Sequence, residues 1–331
     1  MSETRVAVLG AGSWGTALGA LLVKGGADTV LWTVEAEVAE RITKAHENPK
    51  YLPGIPLPAP LRATSDARQA LAGAGAVVWA IPLRYLREVA ERVAAEVPPA
   101  AACVSVAKGL EPGTRLRPTQ ILAETVPGRP VAALLGPSLA EEVARGVPTS
   151  VAACAADLEV ARRVQRLFHA DSVRVYTNDD PVGAEYAAAL KNVMAVAAGL
   201  SDGLGFGDNT KGALVTRGLA EMSRLGIALG GRRETFFGLT GVGDLVTTSF
   251  SRKSRNRHVG EQVGRGRALD AVLGEMTQVA EGVPASRVAL ELARERDVEV
   301  PIIEQVVAVL FEGKSPRAAL MDLLARDPRR E

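Results

Sequence analysis

The stretch that decides the fold is RVAVLGAGSWGTALGALLV, residues 5–23. Its apolar opening, VAVL, is typical of one buried β-strand, and its end is typical of a helix with small residues on one side. Between them three glycines have the spacing G-x-G-x-x-G. We expect Gly10 to permit a tight turn, Gly12 to let the backbone approach a pyrophosphate, and Gly15 to let helix and strand pack closely. A glycine-rich structural turn is the alternative, but the strand–helix context favours dinucleotide binding at the helix N-terminus.

The length and composition of the chain predict a globular protein with two domains. It has 331 residues, of which 47% are hydrophobic and 23% are charged, and its formal net charge is +1. A chain this close to neutral has no overall attraction for nucleic acid or for an anionic membrane. We find no apolar run of the length that a membrane helix needs, and the first strand leaves no room for a signal peptide. We therefore expect a cytoplasmic protein whose partner is a small molecule.

Cysteine and histidine usage predicts neither disulfides nor a metal site. Cys103 and Cys154 lie in apolar surroundings and are expected to be buried thiols, which fits a reducing compartment. His46, His169 and His258 are scattered and lack metal-ligand spacing.

The order of predicted elements indicates two domains of different class. Apolar strands alternate with helical segments to about residue 178, which predicts a doubly wound, Rossmann-type α/β domain over residues 1–179. Helical periodicity dominates afterwards and predicts an all-α domain over residues 180–331 for substrate binding and catalysis. Prolines over residues 48–60 predict an extended surface loop. The predicted strands cover residues 6–9, 29–32, 74–81, 102–107, 131–135, 150–153 and 173–176. The predicted helices of the second domain cover residues 181–200, 211–229, 256–264, 284–296, 301–312 and 316–325.

The second strand ends where a Rossmann domain binds the adenosine ribose. An acid at this point hydrogen-bonds the ribose 2′-hydroxyl, whereas an arginine favours a 2′-phosphate. Here the chain has Thr33 and Val34, with Glu35 just beyond. These residues give mixed signals between NAD and NADP.

Ligands of open parallel sheets bind outside the carboxyl ends of the strands. This rule selects the glycine turn, the residues around Pro82, and Lys108 together with residues 136–138. Lys108 directly follows an apolar strand and precedes a glycine, so we expect its ammonium to face the ligand. A solvated surface lysine is the alternative.

Lys191 is the strongest candidate for a catalytic side chain. It lies in AAALKNVMAVAAGL, residues 187–200, which is otherwise nearly all apolar. Lysine is seldom buried without a partner. At helical spacing, alanines flank both Lys191 and Asn192 and leave room for a small polar ligand. The alternative is a lysine at a helix edge that extends to water.

Two later segments carry charged groups suited to an anionic substrate. Residues 238–249, GLTGVGDLVTTS, are too rich in glycine for a regular helix and contain Asp244. This acid is expected either to orient a lysine or a substrate hydroxyl, or to cap a helix. Residues 251–258, SRKSRNRH, are strongly basic. A solvated face or a polyanion patch are alternatives, but in a near-neutral chain we favour a clamp for a small phosphate.

Taken together, several short motifs of the chain resemble those of the NAD(P)-dependent sn-glycerol-3-phosphate dehydrogenases of bacteria. The matching motifs follow the family's order and extend from residue 10 to residue 256. They are GAGSWGTA at 10–17, YLPG at 51–54, KGLE at 108–111, GPS at 136–138, ALKNV at 189–193, TRGL at 216–219, GVGDL at 241–245 and SRN at 254–256.

The resemblance implies reversible reduction of dihydroxyacetone phosphate to sn-glycerol 3-phosphate with NAD(P)H, for glycerophospholipid synthesis, by a homodimer. It implies that Lys191 donates and accepts the proton. The implied substrate pocket consists of Lys108, Gly136, Ser138, Asn192, Asp244, Thr248, Ser254, Arg255 and Asn256. The implied cofactor contacts are Gly10, Gly12, Ser13, Trp14, Gly15, Lys108, Ala140, Arg255, Val279 and Glu281.

Two positions depart from the family pattern. The family often has Arg or His where this chain has Val34, which weakens the case for NADP. We therefore expect both NAD and NADP to be accepted, with a modest preference for NAD. The family also commonly has serine where this chain has Leu83, and its loss removes a hydroxyl near the cofactor.

Two other functions fit parts of the sequence. A β-hydroxyacid or ketopantoate-type reductase has the same two-domain organisation, but its carboxylate substrate does not require a phosphate clamp such as Ser254-Arg255-Asn256. A non-catalytic NAD sensor or a nucleic-acid-binding module is disfavoured by the near-neutral charge and by the Lys191-Asn192 pair. We therefore predict a dehydrogenase that acts on a phosphorylated ketone.

Overall fold

The computed structural model of the chain describes residues 4–276 and 278–326. Contacts within the chain divide it into two units. The first unit extends to Lys108 and resumes over Leu116–Pro181, and the second takes in Gly109–Arg115 and the chain from Val182 onward. We describe each unit by itself.

The first unit is built on one eight-stranded sheet with strand order β3-β2-β1-β4-β5-β6-β7-β8. The order of its first six strands is that of the dinucleotide-binding fold, so the predicted Rossmann-type sheet is confirmed. The strands are β1 (Arg5–Leu9), β2 (Asp28–Trp32), β3 (Arg62–Thr64), β4 (Ala76–Trp79), β5 (Ala102–Ser105), β6 (Val131–Leu135), β7 (Thr149–Cys154) and β8 (Val173–Asn178).

Helices cover both faces of this sheet. Apolar side chains of α1 and α7 pack on one face, and those of α3, α4 and α5 pack on the other. The helices are α1 (Ser13–Lys24), α2 (Ala36–Glu40), α3 (Ala67–Leu71), α4 (Leu83–Val93), α5 (Pro118–Thr125), α6 (Ala140–Ala144) and α7 (Leu158–Phe168). Cys103 and Cys154 are buried free thiols, as predicted, and burial raises the pKa of Cys103 to about 11.

One strand pair departs from a purely parallel sheet, because β7 runs antiparallel to β6. Residues 136–148 connect the two strands and are numerous enough for a parallel crossover, but such a crossover also needs an element that returns along the sheet, usually a helix. Between these strands the only helix is α6, and its five residues are about 7.5 Å long. The chain therefore turns back at the edge where β6 ends.

The predicted surface loop at residues 48–60 is only partly correct. The prolines do keep long helices and strands out of this segment. However, Asn48, Leu52, Ile55 and Leu57 are all buried. Proline restricts backbone conformation without preventing burial, so the segment packs its apolar side chains against the first unit's core.

The second unit is helical, and the described chain after Asn178 contains no strand, which confirms the predicted all-α class. Within residues 4–276 and 278–326, no helix combines the length and apolar content needed to cross a bilayer. The helices are α8 (Pro181–Gly203), α9 (Asp208–Ala228), α10 (Arg233–Phe236), α11 (Asp244–Phe250), α12 (Arg255–Gly264), α13 (Leu269–Gly274), α14 (Gly282–Glu295), α15 (Pro301–Phe311) and α16 (Pro316–Leu324).

The central helix α8 packs with its backbone against that of α12. A Cβ on Gly199 would lie 2.0 Å from the carbonyl oxygen of Arg257, and a Cβ on Gly260 would lie 2.1 Å from that of Val196. Neither helix has room for a side chain at these points. This close crossing places the start of α12 beside the middle of α8, where Lys191 and Asn192 lie.

Candidate active site

Two glycines of the first turn are required by the fold itself. Gly10 has a φ of +108°, and a Cβ there would lie 2.4 Å from the carbonyl oxygen of Ala80. A Cβ on Gly15 would lie 1.9 Å from the carbonyl oxygen of Gly10. Only glycine fits at either position, which agrees with the tight turn and close packing that the spacing predicts.

Gly12 is different, because nothing in the fold requires a glycine there. Its φ of −68° and ψ of −177° are accessible to any residue, and a Cβ would meet no atom within 4 Å. The open space lies at the N-terminus of α1, whose first turn contains no acidic side chain. A bare backbone at the positive end of a helix dipole suits a pyrophosphate, so this turn fits a dinucleotide.

A second segment braces the glycine turn, and the sequence did not predict this role. Asn48 is buried, and its Nδ2 donates to the carbonyl oxygen of Ala11 at 2.8 Å and to Thr16 Oγ1 at 2.9 Å. The Ser13 hydroxyl also donates to the carbonyl oxygen of Tyr51. An asparagine within a proline-rich segment was the only available signal.

Three polar groups meet at the ends of β5 and β6. Lys108 Nζ donates to the carbonyl oxygen of Gly136 at 3.0 Å, and Ser138 Oγ donates to the same oxygen at 3.0 Å. Ala140 begins α6 just beyond. The structure therefore brings together Lys108 and the segment that the strand-end rule selected with it.

Leu83 occupies the position where the resembled family commonly has serine. It is the first residue of α4, and it is buried within the core under that helix. The chain therefore has an apolar core contact at this position in place of a hydroxyl.

Lys191 lies at the centre of a buried polar network in the second unit. Its Nζ donates to Asp244 Oδ1 at 3.0 Å and to Thr248 Oγ1 at 2.6 Å. The Thr248 hydroxyl lies 3.1 Å from the same Asp244 oxygen. Lys191 is 4% exposed and Asp244 is 2% exposed, so Lys191 does not extend to water from a helix edge. Of the roles that the sequence left open for Asp244, the structure agrees with contact to a lysine.

Asn192, the neighbour of Lys191, joins three helices. Its Oδ1 accepts a hydrogen bond from Asn256 Nδ2 at 2.9 Å, and Asn256 Oδ1 accepts one from the backbone N–H of Gly282 at 2.9 Å. Both asparagines are buried. The two residues predicted to bind substrate therefore hold α8, α12 and the start of α14 in register.

The basic cluster gives different environments to its members. Ser254 is buried and caps α12, since its Oγ accepts from the N–H of Arg257 at 3.2 Å. Arg255 is exposed at the first position of that helix. Although part of its side chain meets solvent, the protein packed around the Arg255 guanidinium desolvates that group and lowers its pKa, and the charge of Glu281 opposes this shift. Glu281 and Val279 immediately precede α14, and both are partly buried.

The predicted site residues thus form two groups, one in each unit. The first group has the open glycine turn and Lys108, and the second has a buried ammonium and an exposed guanidinium. Among the described residues, no group of three or more His, Cys, Asp or Glu side chains is arranged to hold a metal ion.

Comparison with known proteins identifies similar proteins over the whole chain. The family model for the N-terminus of NAD-dependent glycerol-3-phosphate dehydrogenase matches residues 5–161. The model for the C-terminus of the same family matches residues 180–321.

Individual relatives agree with these matches. The chain is 48% identical to a glycerol-3-phosphate dehydrogenase [NAD(P)+] from Chlorobium limicola over 98% of this chain and 99% of that protein. It is 47% identical to one from Pelodictyon phaeoclathratiforme over 98% and 99%. The crystal structure of glycerol-3-phosphate dehydrogenase from Coxiella burnetii superposes with a TM-score of 0.93 at 36% identity, over 98% of this chain and 99% of that one.

Proposed function

Because the chain belongs to the family of NAD-dependent glycerol-3-phosphate dehydrogenases, we propose that it reversibly reduces dihydroxyacetone phosphate to sn-glycerol 3-phosphate with NADH or NADPH. The observation that carries this proposal is the buried Lys191 ammonium, which Asp244 and Thr248 hold in one place. Burial of a charge costs desolvation free energy even when the charge is paired. An ammonium held in this way suits a group that must transfer a proton at a fixed position.

The chemistry divides between a hydride and a proton. When bound, NADH or NADPH would supply the hydride for the carbonyl carbon of the ketone. Lys191 polarises the carbonyl oxygen and then donates its Nζ proton to the alkoxide that forms. The resulting amine regains a proton from solvent, and in the reverse direction Lys191 accepts the proton of the alcohol. Asp244 keeps the Lys191 amino group oriented throughout.

The remaining predicted residues bind and orient the two molecules. The turn at Gly10, Gly12 and Gly15, with Ser13 and Trp14, holds the pyrophosphate and nucleotide. Arg255 binds the substrate phosphate, which lies away from the reacting carbon and supplies binding energy for orientation. Lys108 adds positive charge to the substrate pocket.

The resemblance supports a proposal for the cellular location, the oligomeric state and the metabolic role of the protein. We propose that the protein works in the cytoplasm as a homodimer, supplies glycerol 3-phosphate for glycerophospholipids and has no nucleic-acid partner. Two buried thiols support a reducing compartment. Sedimentation equilibrium tests the proposed homodimer directly.

Absorbance at 340 nm tests the activity. NADH or NADPH is mixed with dihydroxyacetone phosphate, unphosphorylated dihydroxyacetone, or 2-ketopantoate as a carboxylate control. We expect rapid oxidation of the cofactor with the phosphorylated ketone and at least a hundredfold lower kcat/KM with the other two. Faster turnover of ketopantoate would identify a carboxylate reductase instead, and binding of NADH without turnover of any ketone would identify a sensor.

A further inference from the structure

Glu35 lies where an acid would meet the adenosine ribose, but it already has two partners. It follows β2 closely, about twenty residues after the glycine turn, which is the usual position of the acid that binds a 2′-hydroxyl. Tyr51 OH donates to Glu35 Oε1 at 2.5 Å, and Lys50 Nζ forms an ion pair with Glu35 Oε2. These bonds hold the pKa of Glu35 below its ordinary value.

The two partners of Glu35 belong to the segment that braces the glycine turn. The carbonyl oxygen of Tyr51 accepts from Ser13, and its N–H donates to Asn48 Oδ1 at 3.3 Å. Lys50 is the residue between these anchors. Its ammonium is therefore held on the same edge of the sheet as the turn that fits the pyrophosphate, in the part of the site expected to face the adenosine.

The two contacts to Glu35 differ in their burial and in how readily the partner of Glu35 can bind another group. The tyrosine contact is partly buried and gives the carboxylate a second partner beside Lys50, whose ammonium also lies 5.2 Å from the centroid of the Tyr51 ring. The side chain of Lys50 is 57% exposed, and an exposed ion pair of this kind contributes little to stability. The ammonium is thus free to exchange Glu35 for a stronger anion while Tyr51 keeps Glu35 in place.

We propose that Lys50 is the specificity-determining residue that lets the protein accept NADPH as well as NADH. With NADH, Glu35 accepts a hydrogen bond from the ribose 2′-hydroxyl. With NADPH, Lys50 binds the 2′-phosphate, which carries a charge of about −1.5 to −2, and screens it from Glu35. This assignment rests on the proposed function only for the identity of the cofactor. The chain has Val34 where the resembled family often has Arg or His, so position 34 offers no positive charge for the 2′-phosphate.

Nucleotide binding without any ketone tests this assignment. The proteins compared are wild type, Lys50→Met, Lys50→Arg and Glu35→Gln. Their Kd values for NADH and NADPH are measured by fluorescence, and their Kd values for ADP and 2′,5′-ADP are measured by calorimetry. Lys24→Met is the matched control, because it removes one exposed charge at the far end of α1. We expect Lys50→Met to weaken NADPH and 2′,5′-ADP at least tenfold and to change NADH and ADP less than threefold.

The other variants separate specificity from structure. Lys50→Arg is expected to keep the wild-type ratio of Kd values, and Glu35→Gln is expected to favour NADPH by at least threefold. If Lys50→Met raises the Kd of all four ligands equally, Lys50 only braces the turn. If it changes none of the Kd values, Lys50 forms only a surface ion pair with Glu35. Because no ketone is present, these outcomes are independent of whether dihydroxyacetone phosphate is the substrate.

Discussion

Lys191 and Asp244 form a buried ion pair, with Nζ and Oδ1 3.0 Å apart and both side chains no more than 5% exposed. Helix α8 provides the lysine, and the aspartate begins α11, directly after the π-helical turn Leu239–Gly243. Glycine in that turn permits the close packing, because a Cβ on Gly241 would lie 2.0 Å from the carbonyl oxygen of Phe236. The glycine-rich segment therefore places one carboxylate against one ammonium inside an apolar helical unit.

Replacing Lys191 with methionine keeps the bulk of the stem and removes the acid. General acid catalysis contributes about 10²–10⁴-fold, so kcat for Lys191→Met should fall at least a hundredfold. The Kd for NADH, measured by fluorescence, should change little because the proposed pyrophosphate-binding turn lies in the first unit. A variant that binds NADH and still turns over within fivefold of wild type would exclude Lys191 as the proton donor, and Lys108 would be the next candidate.

The same ion pair predicts a change in stability. Lys191→Met removes the ammonium from a buried carboxylate, and breaking a buried pair from one side costs about 3–5 kcal/mol. The double variant Lys191→Met/Asp244→Asn should recover most of that loss without recovering activity. Urea denaturation of wild type, single and double variants checks this, and an unchanged single variant would contradict the energetic role of the pair.

Arg255 should act through the substrate phosphate. Arg255→Ala removes charge-assisted hydrogen bonds worth about 1.5–3 kcal/mol, so KM for dihydroxyacetone phosphate should rise about tenfold to a hundredfold. Steady-state kinetics should show a much smaller change for unphosphorylated dihydroxyacetone. Arg252→Ala, an exposed neighbour in the same basic cluster, is the control. Equal losses with both substrates would assign Arg255 to the cofactor or to the fold.

The dinucleotide fold was predictable because its signals are local. A short apolar strand, three glycines at fixed spacing and a helix specify β1, the turn and α1 within about twenty residues of sequence. The helical class of the second unit was predictable for the same reason, since each helix has its own periodicity.

Features that depend on distant residues were not predictable to the same degree. Lys191 and Asp244 are separated by 53 positions, and the sequence left the role of Asp244 open between a lysine partner and a helix cap. Burial of Asn48 depends on hydrogen-bond partners 37 and 32 residues away. The antiparallel pairing of β7 follows from the length of α6, which sequence patterns define poorly.

Gly12 and Gly15 should respond differently to the same substitution. Gly12→Ala adds a Cβ into open space, so Tm should change by no more than a few degrees while the Kd for NADH rises at least tenfold. Gly15→Ala places a Cβ against the carbonyl oxygen of Gly10 and should lower Tm strongly. Thermal unfolding and NADH fluorescence measure both effects. Wild-type NADH affinity in Gly12→Ala would show that the pyrophosphate does not approach this backbone.

Glu221 is a buried carboxylate outside the polar network around Lys191. Its two oxygens accept from the backbone N–H groups of Ile302 and Ile303, each at 2.9 Å. The residue therefore caps α15 from a neighbouring helix, at a helix start that has Pro301 and no side-chain cap of its own. Burial raises the pKa of Glu221 to about 7, although the two N–H groups oppose the rise.

This raised pKa predicts that stability falls as pH rises. The folded state binds the Glu221 proton more tightly than the unfolded state, so the contribution is complete below the unfolded pKa and is lost as pH rises through about 7. Between pH 5.5 and pH 8 the loss should be about 2 kcal/mol. Urea denaturation at both pH values should show that Glu221→Gln removes this difference, whereas Glu312→Gln, at the exposed C-cap of α15, keeps it. An equal pH dependence in wild type and Glu221→Gln would mean that other groups cause it.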